Sequence, residues 1–169
     1  AKRSDDPTLN AALKNLNKYI SARISYDKLN VLNGDTIHNW LTVNSDGSVS
    51  ISDDGIASFV KKVSSAYNTV GKPKTLKTSY GPTVTITGGS YGWKVDTEKE
   101  KAAIRSLIEA GETAKREPEY SRKAASHGEN DYGNSYVEVN LTAQHMILIK
   151  NGSLQYLLMQ IQQNMDYIA

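Results

Sequence analysis

Two aromatic residues stand among glycines in the stretch Gly-Gly-Ser-Tyr-Gly-Trp at residues 88–93. Glycine lets a backbone come close to a ligand, and the rings of Tyr91 and Trp93 offer flat faces on which a sugar can stack. The same residues would also suit a turn before a strand, with both rings packed in a core. Tyr91 and Trp93 are therefore candidate ligand-binding residues, with a structural role as the alternative.

A second candidate pair, Arg116 and Tyr120, lies in a polar segment. A guanidinium group matches a carboxylate with two parallel hydrogen bonds, so Arg116 could hold the carboxylate of a peptide. Alternatively, the two side chains fasten the polar segment to the body of the domain. Arg116 and Tyr120 complete the set of candidate ligand-binding residues.

The sequence lacks the side chains that several kinds of catalysis require. It contains no cysteine, which excludes disulfide bonds, thiolate nucleophiles and zinc–thiolate sites. No Gly-x-Ser-x-Gly motif supports a serine nucleophile. The histidines have no metal-ligand spacing and are expected to be surface or structural residues: His38, His127 and His145. We predict no catalytic residue, no metal site and no cofactor.

Four glutamates lie on or beside one predicted helix: Glu98, Glu100, Glu109 and Glu112. Their spacing is typical of a solvated helix face with capping residues, not of the paired carboxylates of a glycosidase. We expect these side chains to face solvent.

Composition excludes further classes of partner. Hydrophobic residues make up 38% and charged residues 22%, as in globular proteins, and the net charge is only +2. That balance does not predict nucleic acid as a partner. No apolar run reaches the roughly 18 residues that a membrane-spanning helix needs. The first ten residues also lack the apolar stretch of a signal peptide.

Hydrophobic spacing predicts three long helices and several short strands around the candidate residues. The helices are expected over residues 5–22, from residue 53 to a stop at Gly71, and from a cap at Thr97 to Gly111, with a short helix near residues 34–41. Strands are expected at residues 23–26 and 48–52, and a hairpin at residues 74–79 and 83–87. This order places Tyr91 and Trp93 between the hairpin and the third helix.

The last third of the chain changes character twice. Residues 113–134 are polar without a sustained period, which predicts a linker. Residues 136–141 and 145–150 alternate like strands, and Asn151-Gly152 is a strong hairpin signal. The apolar residues that follow have helical spacing: Leu154, Leu157, Leu158, Ile161, Met165 and Ile168. The predicted fold is α+β, with helices packed on short antiparallel strands, followed by a C-terminal β-hairpin and a terminal helix.

Three segments together resemble the junction region of the Gram-positive L,D-transpeptidase family: GGSYGWKVDTEKE, EAGETAKREPEYSRKA and YGNSYVEVNLTAQHMILIKNGSL. In that family a peptidoglycan-binding, pre-catalytic domain of mixed α and β structure precedes a YkuD-like catalytic domain. The resemblance covers residues 9–154. It implies a pre-catalytic domain at residues 1–112, a linker at 113–134 and a truncated start of the catalytic domain at 135–169.

The family's catalytic residues lie beyond the first hairpin of its catalytic domain, and its nucleophile is a cysteine activated by histidine. This sequence has no cysteine, and its His127-Gly128 precedes the first strand of the catalytic region. The chain itself is therefore not expected to be an enzyme.

The resemblance implies a non-catalytic module that binds or positions peptidoglycan, with the glycan strand or the stem peptide as partner. It also implies an extracellular or cell-wall location, with the signal or anchor absent from this sequence. Two alternatives stay open. One is a ligand-free scaffold of a cross-linking enzyme whose Cys/His site is missing here, and the other is a homo-oligomer formed through residues 136–169.

Overall fold

Four α-helices and twelve short strands make up the described part of the protein, which the computed structural model gives as residues 6–128 and 130–159. The helices are α1 Pro7–Ile20, α2 Gly34–Ile37, α3 Asp53–Tyr67 and α4 Thr97–Ala110, with a 3-10 turn at His38–Trp40. The strands are β1 Arg23–Tyr26, β2 Leu29–Leu32, β3 Leu41–Val43, β4 Val49–Ile51, β5 Lys74–Lys77, β6 Thr83–Ile86, β7 Lys94–Val95, β8 Thr113–Lys115, β9 Tyr120–Arg122, β10 Tyr136–Asn140, β11 His145–Lys150 and β12 Ser153–Met159. The predicted α+β class is confirmed.

The chain forms two compact units, each built from two separate stretches of sequence. The first unit contains the chain up to Asn68 together with Lys94–Arg122. The second contains Thr69–Trp93 together with the chain from Lys123 onward. Strands β8 and β9, which lie in the segment predicted as a linker, belong to the first unit. The boundaries expected at residues 112 and 135 stay a prediction.

Side-chain caps begin the long helices of the first unit. Asp6 accepts a hydrogen bond from the N–H of Thr8 at 2.9 Å, and Ser52 Oγ accepts one from the N–H of Gly55 at 3.2 Å. Such caps satisfy N–H groups that have no partner within the helix. They account for the starts of α1 and α3.

Two predicted helix boundaries are wrong by a few residues. The cap of α4 is Asp96 rather than Thr97, since the Asp96 side chain accepts the N–H of Lys99 at 3.2 Å. Helix α3 ends at Tyr67, before the expected stop at Gly71. A carboxylate one residue earlier thus takes the capping role that the Thr97 hydroxyl was expected to have.

A three-stranded sheet with the order β2-β1-β8 runs through the first unit. Strand β1 is antiparallel to β2 but parallel to β8, with Arg23 opposite Thr113. This parallel pair is an exception to the antiparallel pairing that the sequence predicted. The apolar core of the unit contains side chains of this sheet, of α2, α3 and α4, of strands β4 and β7, and of Ala22 before β1: Ala22, Ile24, Tyr26, Leu32, Ile37, Ile51, Ile56, Phe59, Val60, Val63, Tyr67, Val95, Ile104 and Ile108.

The second unit contains the β5–β6 hairpin and an antiparallel sheet with the order β10-β11-β12. Asn151 and Gly152 join β11 to β12 with positive φ angles of 52° and 76°. Two such residues fit the tight turns of two-residue hairpins, so the predicted Asn-Gly turn is confirmed. Val137 and Val139 of β10 are each 51% exposed, whereas Glu138 between them is buried.

The helix predicted after Gly152 is wrong for residues 153–159, which form β12 instead. Strand β12 pairs with β11 from Ser153 opposite Lys150 to Met159 opposite His145. The remaining residues of the predicted helix, 160–169, lie outside the described residues. In the part of the chain that the structure describes, no helix is long and apolar enough to cross a membrane.

Candidate ligand-binding groove

The chain leaves β6 through two exposed glycines that keep one side of the backbone open. Gly88 and Gly89 have φ angles of +77° and +79°, in the region that favours glycine. A Cβ atom built at either residue would meet no atom of the described residues within 4 Å. The backbone here is therefore accessible to a ligand.

Tyr91 lies beside this open backbone with its hydroxyl held in place. The hydroxyl oxygen accepts the N–H of Ala125 at 2.9 Å and lies 3.5 Å from the carbonyl oxygen of Asp131. The residue is nevertheless 46% exposed. Both polar contacts are at the hydroxyl end, so they anchor the side chain there while part of its surface stays open to solvent.

Tyr132 and Tyr136 form the second aromatic side of the site. Their rings meet edge to face, with centroids 5.2 Å apart and an interplanar angle of 77°. The Tyr132 hydroxyl donates to the carbonyl oxygen of Thr75 at 2.9 Å. Burial, with a smaller contribution from the Glu138 carboxylate, raises the pKa of Tyr136.

These residues line a groove of about 380 Å³, a volume within the roughly 300–1,000 Å³ of small-molecule sites. We call it the glycine–tyrosine groove. It is lined by apolar side chains of β5, β6 and β10 and by Lys74, Gly88, Gly89, Tyr91, Tyr132 and Tyr136. All of these residues belong to the second unit.

Among the described residues, Lys74 is the charged side chain of the groove lining, and it is paired with a buried carboxylate. Lys74 Nζ lies 2.7 Å from Oδ2 of Asp131, whose side chain is 5% exposed. The Thr69 hydroxyl donates to the same carboxylate oxygen. Since Asp131 balances the charge of Lys74, the groove presents aromatic faces and open backbone without an excess of charge.

Trp93 is close to Tyr91 in sequence but is largely enclosed by its own chain. It is 7% exposed, and its indole N–H donates to the carbonyl oxygen of Ser126 at 2.7 Å. Its ring stacks on His127 with centroids 3.8 Å apart. Gly92 precedes it at φ +137°, where a Cβ would lie 2.6 Å from the backbone nitrogen of Val70. These contacts hold the Trp93 ring against its own chain.

Arg116 and Tyr120 lie in the first unit, where Arg116 pairs with a carboxylate of its own chain. Arg116 Nη2 is 3.1 Å from Oε2 of Glu100, and the N–H of Glu119 donates to the same oxygen at 2.7 Å. The Tyr26 hydroxyl donates to the other oxygen of Glu100. We call Glu100 and these three partners, Tyr26, Arg116 and Glu119, the Glu100 cluster.

The expectation that Glu100 faces solvent is therefore wrong. Its side chain is 0% exposed, because Tyr26 and Arg116, far away in sequence, supply the polar partners that a buried carboxylate needs. Burial first, and then the hydrogen bond to Glu100, raises the pKa of Tyr26. Burial also raises the pKa of Tyr120 to about 12, with a contribution from Glu117.

Tyr91 is thus the predicted residue that lines the groove, with Trp93 in the same unit and Arg116 and Tyr120 in the other. Tyr132 and Tyr136 are missing from the predicted set, although both lie in the third family-like segment. Their separation from Tyr91 by some forty residues hides the grouping from local sequence patterns. Within residues 6–128 and 130–159, no group of three or more His, Asp or Glu side chains is placed to hold a metal ion.

Residues 3–116 match a family described as "Putative peptidoglycan binding domain". The chain belongs to this peptidoglycan-binding domain family. A comparison with curated protein sequences gave no significant match.

Two solved structures share the fold. One is described as the Ldtfm–avibactam carbamoyl enzyme, with a TM-score of 0.60 and 25% identity, covering 89% of this chain and 60% of that one. The other is an L,D-transpeptidase C442S mutant from Enterococcus faecium, with a TM-score of 0.59 and 25% identity, covering 86% and 59%. The resemblance to L,D-transpeptidases is confirmed, and this chain spans about 60% of their length.

Proposed function

We propose that the chain is a non-catalytic module that binds peptidoglycan and positions it for the catalytic site of an L,D-transpeptidase-like protein. The observation that carries this proposal is the match of residues 3–116 to the peptidoglycan-binding family. The similarity to two L,D-transpeptidase structures supports the link to wall cross-linking. An extracellular, wall-associated location follows from the same proposal.

Positioning would act through effective concentration. A module that holds the wall polymer next to a catalytic site makes the later encounter with that site intramolecular, which raises its rate without new chemistry. We propose Tyr91 as a contact for the polymer, because its ring is exposed in the groove. The contacts of Trp93 and Arg116 with their own chain, and the packing of Tyr120 against the apolar core, support structural roles for these three.

Co-sedimentation of the full chain with purified Gram-positive peptidoglycan tests the binding. We expect the chain to pellet with the wall and to stay in solution without it. A chain that stays in solution with the wall would support the alternative of a ligand-free scaffold.

The non-catalytic part has its own test. Acylation in the L,D-transpeptidase family uses a cysteine thiolate, and this sequence has no cysteine. We expect the intact mass of the chain to be unchanged after incubation with avibactam, the compound bound as a carbamoyl group in one of the similar structures. A covalent adduct would contradict this part of the proposal.

Self-association through residues 136–169 stays a prediction. Light scattering over a range of protein concentrations would decide it, since an oligomer should increase in mass with concentration while a monomer should not.

A further inference from the structure

We propose that the glycine–tyrosine groove binds the glycan strand of peptidoglycan, through its N-acetylated sugar rings, rather than the stem peptide. This inference rests on the proposed function and adds to it which part of the polymer is bound and where. It comes from the three tyrosines, the open glycine backbone and the charge balance of the groove.

The aromatic lining suits a sugar ring. The pyranose ring of a sugar has a flat apolar face of C–H groups, and tyrosine provides an apolar ring surface with a polar end. The exposed ring of Tyr91 and the edge-to-face pair of Tyr132 and Tyr136 all line the same groove. Apolar side chains of β5, β6 and β10 add further apolar surface to the same lining.

Two of the three tyrosines of the groove, Tyr91 and Tyr132, are held by hydrogen bonds before any ligand arrives. The Tyr91 hydroxyl is bound to the N–H of Ala125 at 2.9 Å, and the Tyr132 hydroxyl to the carbonyl of Thr75 at 2.9 Å. A side chain that is already ordered loses little conformational entropy on binding, which favours affinity. These hydrogen bonds leave the rings, rather than the hydroxyls, as the part offered to a ligand.

The glycines leave room for the polar groups of the sugar. Gly88 and Gly89 are exposed, and in the part of the chain that the structure describes no atom lies within 4 Å of where their Cβ atoms would be. A sugar stacked beside Tyr91 can therefore bring its acetamido and hydroxyl groups close to the backbone.

The charge balance favours the sugar over the peptide. A stem peptide carries carboxylates, which proteins bind with an available cation. The cation in the groove lining, Lys74, lies 2.7 Å from the buried carboxylate of Asp131. Separating this pair would leave a buried charge without its partner, which is costly. A neutral sugar needs no such separation.

Titration of the full chain with chitotetraose, a neutral tetramer of N-acetylglucosamine, tests the proposal, with the free stem peptide as the competing probe. We expect saturable binding of the sugar and none of the peptide at the same concentration. Amide signals of Gly88 and Gly89 in the NMR spectrum should shift on sugar addition, which needs no mutation.

Substitutions locate the binding within the groove. We expect Tyr91→Ala to weaken sugar binding about tenfold or more, since it removes an aromatic contact and its buried area. Tyr91→Phe keeps the ring and should weaken binding by less than Tyr91→Ala. Tyr80→Ala is the matched control, because Tyr80 is also exposed, at 50%, but does not line the groove.

The outcomes separate this inference from the proposed function. If the wall sediments with the chain but only the stem peptide binds, the glycan assignment is wrong and wall binding stands. If chitotetraose binds but Tyr91→Ala behaves like Tyr80→Ala and the glycine amides do not shift, the groove is not its site. If neither the wall nor the sugar binds, both proposals fail.

Discussion

The glycine–tyrosine groove and the Glu100 cluster both contain a tyrosine whose hydroxyl is fixed by its own chain, yet they differ in what is left exposed. Tyr91 keeps 46% of its surface exposed, whereas Tyr26 keeps 3%. In the cluster, the hydroxyl bond to Glu100 leads into a buried network that includes Arg116. The difference separates a side chain whose interactions are completed by the fold from one that is oriented by the fold but open to a ligand.

The largest loss of stability should come from Arg116→Met, which removes the cationic partner of the Glu100 carboxylate, whose side chain is 0% exposed. Breaking a buried ion pair from one side typically costs about 3–5 kcal/mol in the free energy of unfolding. Urea denaturation measures that loss. Lys115→Met is the control, because Lys115 is 75% exposed and pairs with an exposed Asp27, so the denaturation midpoint should barely move.

The result would also decide between the two interpretations of Arg116. If Arg116→Met leaves stability unchanged but abolishes sedimentation with peptidoglycan, the residue binds the ligand and the contrast between groove and cluster breaks down.

The next largest loss of stability should come from Trp93→Ala. Comparing this variant with Tyr91→Ala contrasts two aromatic residues that are two positions apart. Truncating a buried tryptophan costs about 3 kcal/mol or more, from lost burial and the space left behind. Tyr91→Ala should cost less, because Tyr91 is half-exposed. Thermal unfolding of both variants makes the comparison. Equal losses would mean that Tyr91 is as structural as Trp93.

The pH dependence of the free energy of unfolding tests the Glu100 cluster, because its Tyr26 has a raised pKa. A tyrosine whose pKa is raised by folding stabilises the protein below its unfolded pKa of about 10, and this contribution is lost as the pH rises through the folded pKa. Both Tyr26 and Tyr120 have raised pKa values, the latter about 12. We expect the free energy of unfolding to fall between about pH 10 and 12.

Urea denaturation across that pH range measures this slope. Tyr26→Phe removes one of the two titrating groups, so the slope should become shallower in that variant. An unchanged slope would show that groups other than Tyr26, such as Tyr120 or lysines, cause the loss.

The smallest stability effect is expected for Tyr132→Phe, which removes the hydrogen bond to the carbonyl of Thr75. A neutral hydrogen bond of this kind contributes about 1 kcal/mol. Tyr80→Phe serves as the reference for loss of an exposed hydroxyl. If the ring of Tyr132 is loosened as we expect, chitotetraose should bind more weakly to Tyr132→Phe, and unchanged affinity would mean that the hydroxyl bond does not order the groove.

Local sequence patterns predicted much of the fold. The apolar stripes of α1, α3 and α4, the β5–β6 hairpin and the Asn151-Gly152 turn all depend on spacing within a few residues, so they can be identified from the sequence. The burial of Glu100 could not, because Tyr26 and Arg116 reach it only after folding. The grouping of Tyr91 with Tyr132 and Tyr136 was hidden for the same reason.

The wrong prediction of a helix for residues 153–159, which form β12, has a specific physical cause. The register places Leu154 opposite Ile149 and Leu157 opposite Ile147, with an irregularity between Leu148 and Ile149. An extra residue in a bulged strand turns a two-residue period into a three-residue spacing. That spacing imitates the i, i+3 pattern of a helix, and only the pairing with β11 distinguishes the two.

The parallel pairing of β1 with β8 has a consequence for the order in which the protein is made. Arg23 pairs with Thr113, so 113 − 23 = 90 residues separate the two partners. At roughly 5–20 residues per second, a ribosome needs about 5–18 s to synthesise that interval. The inner strand of the first sheet must therefore wait with one edge unpaired while the whole Thr69–Trp93 stretch of the other unit emerges. A nascent chain that stops before β8 would expose that unpaired edge to other chains, so misassembly can occur during this interval.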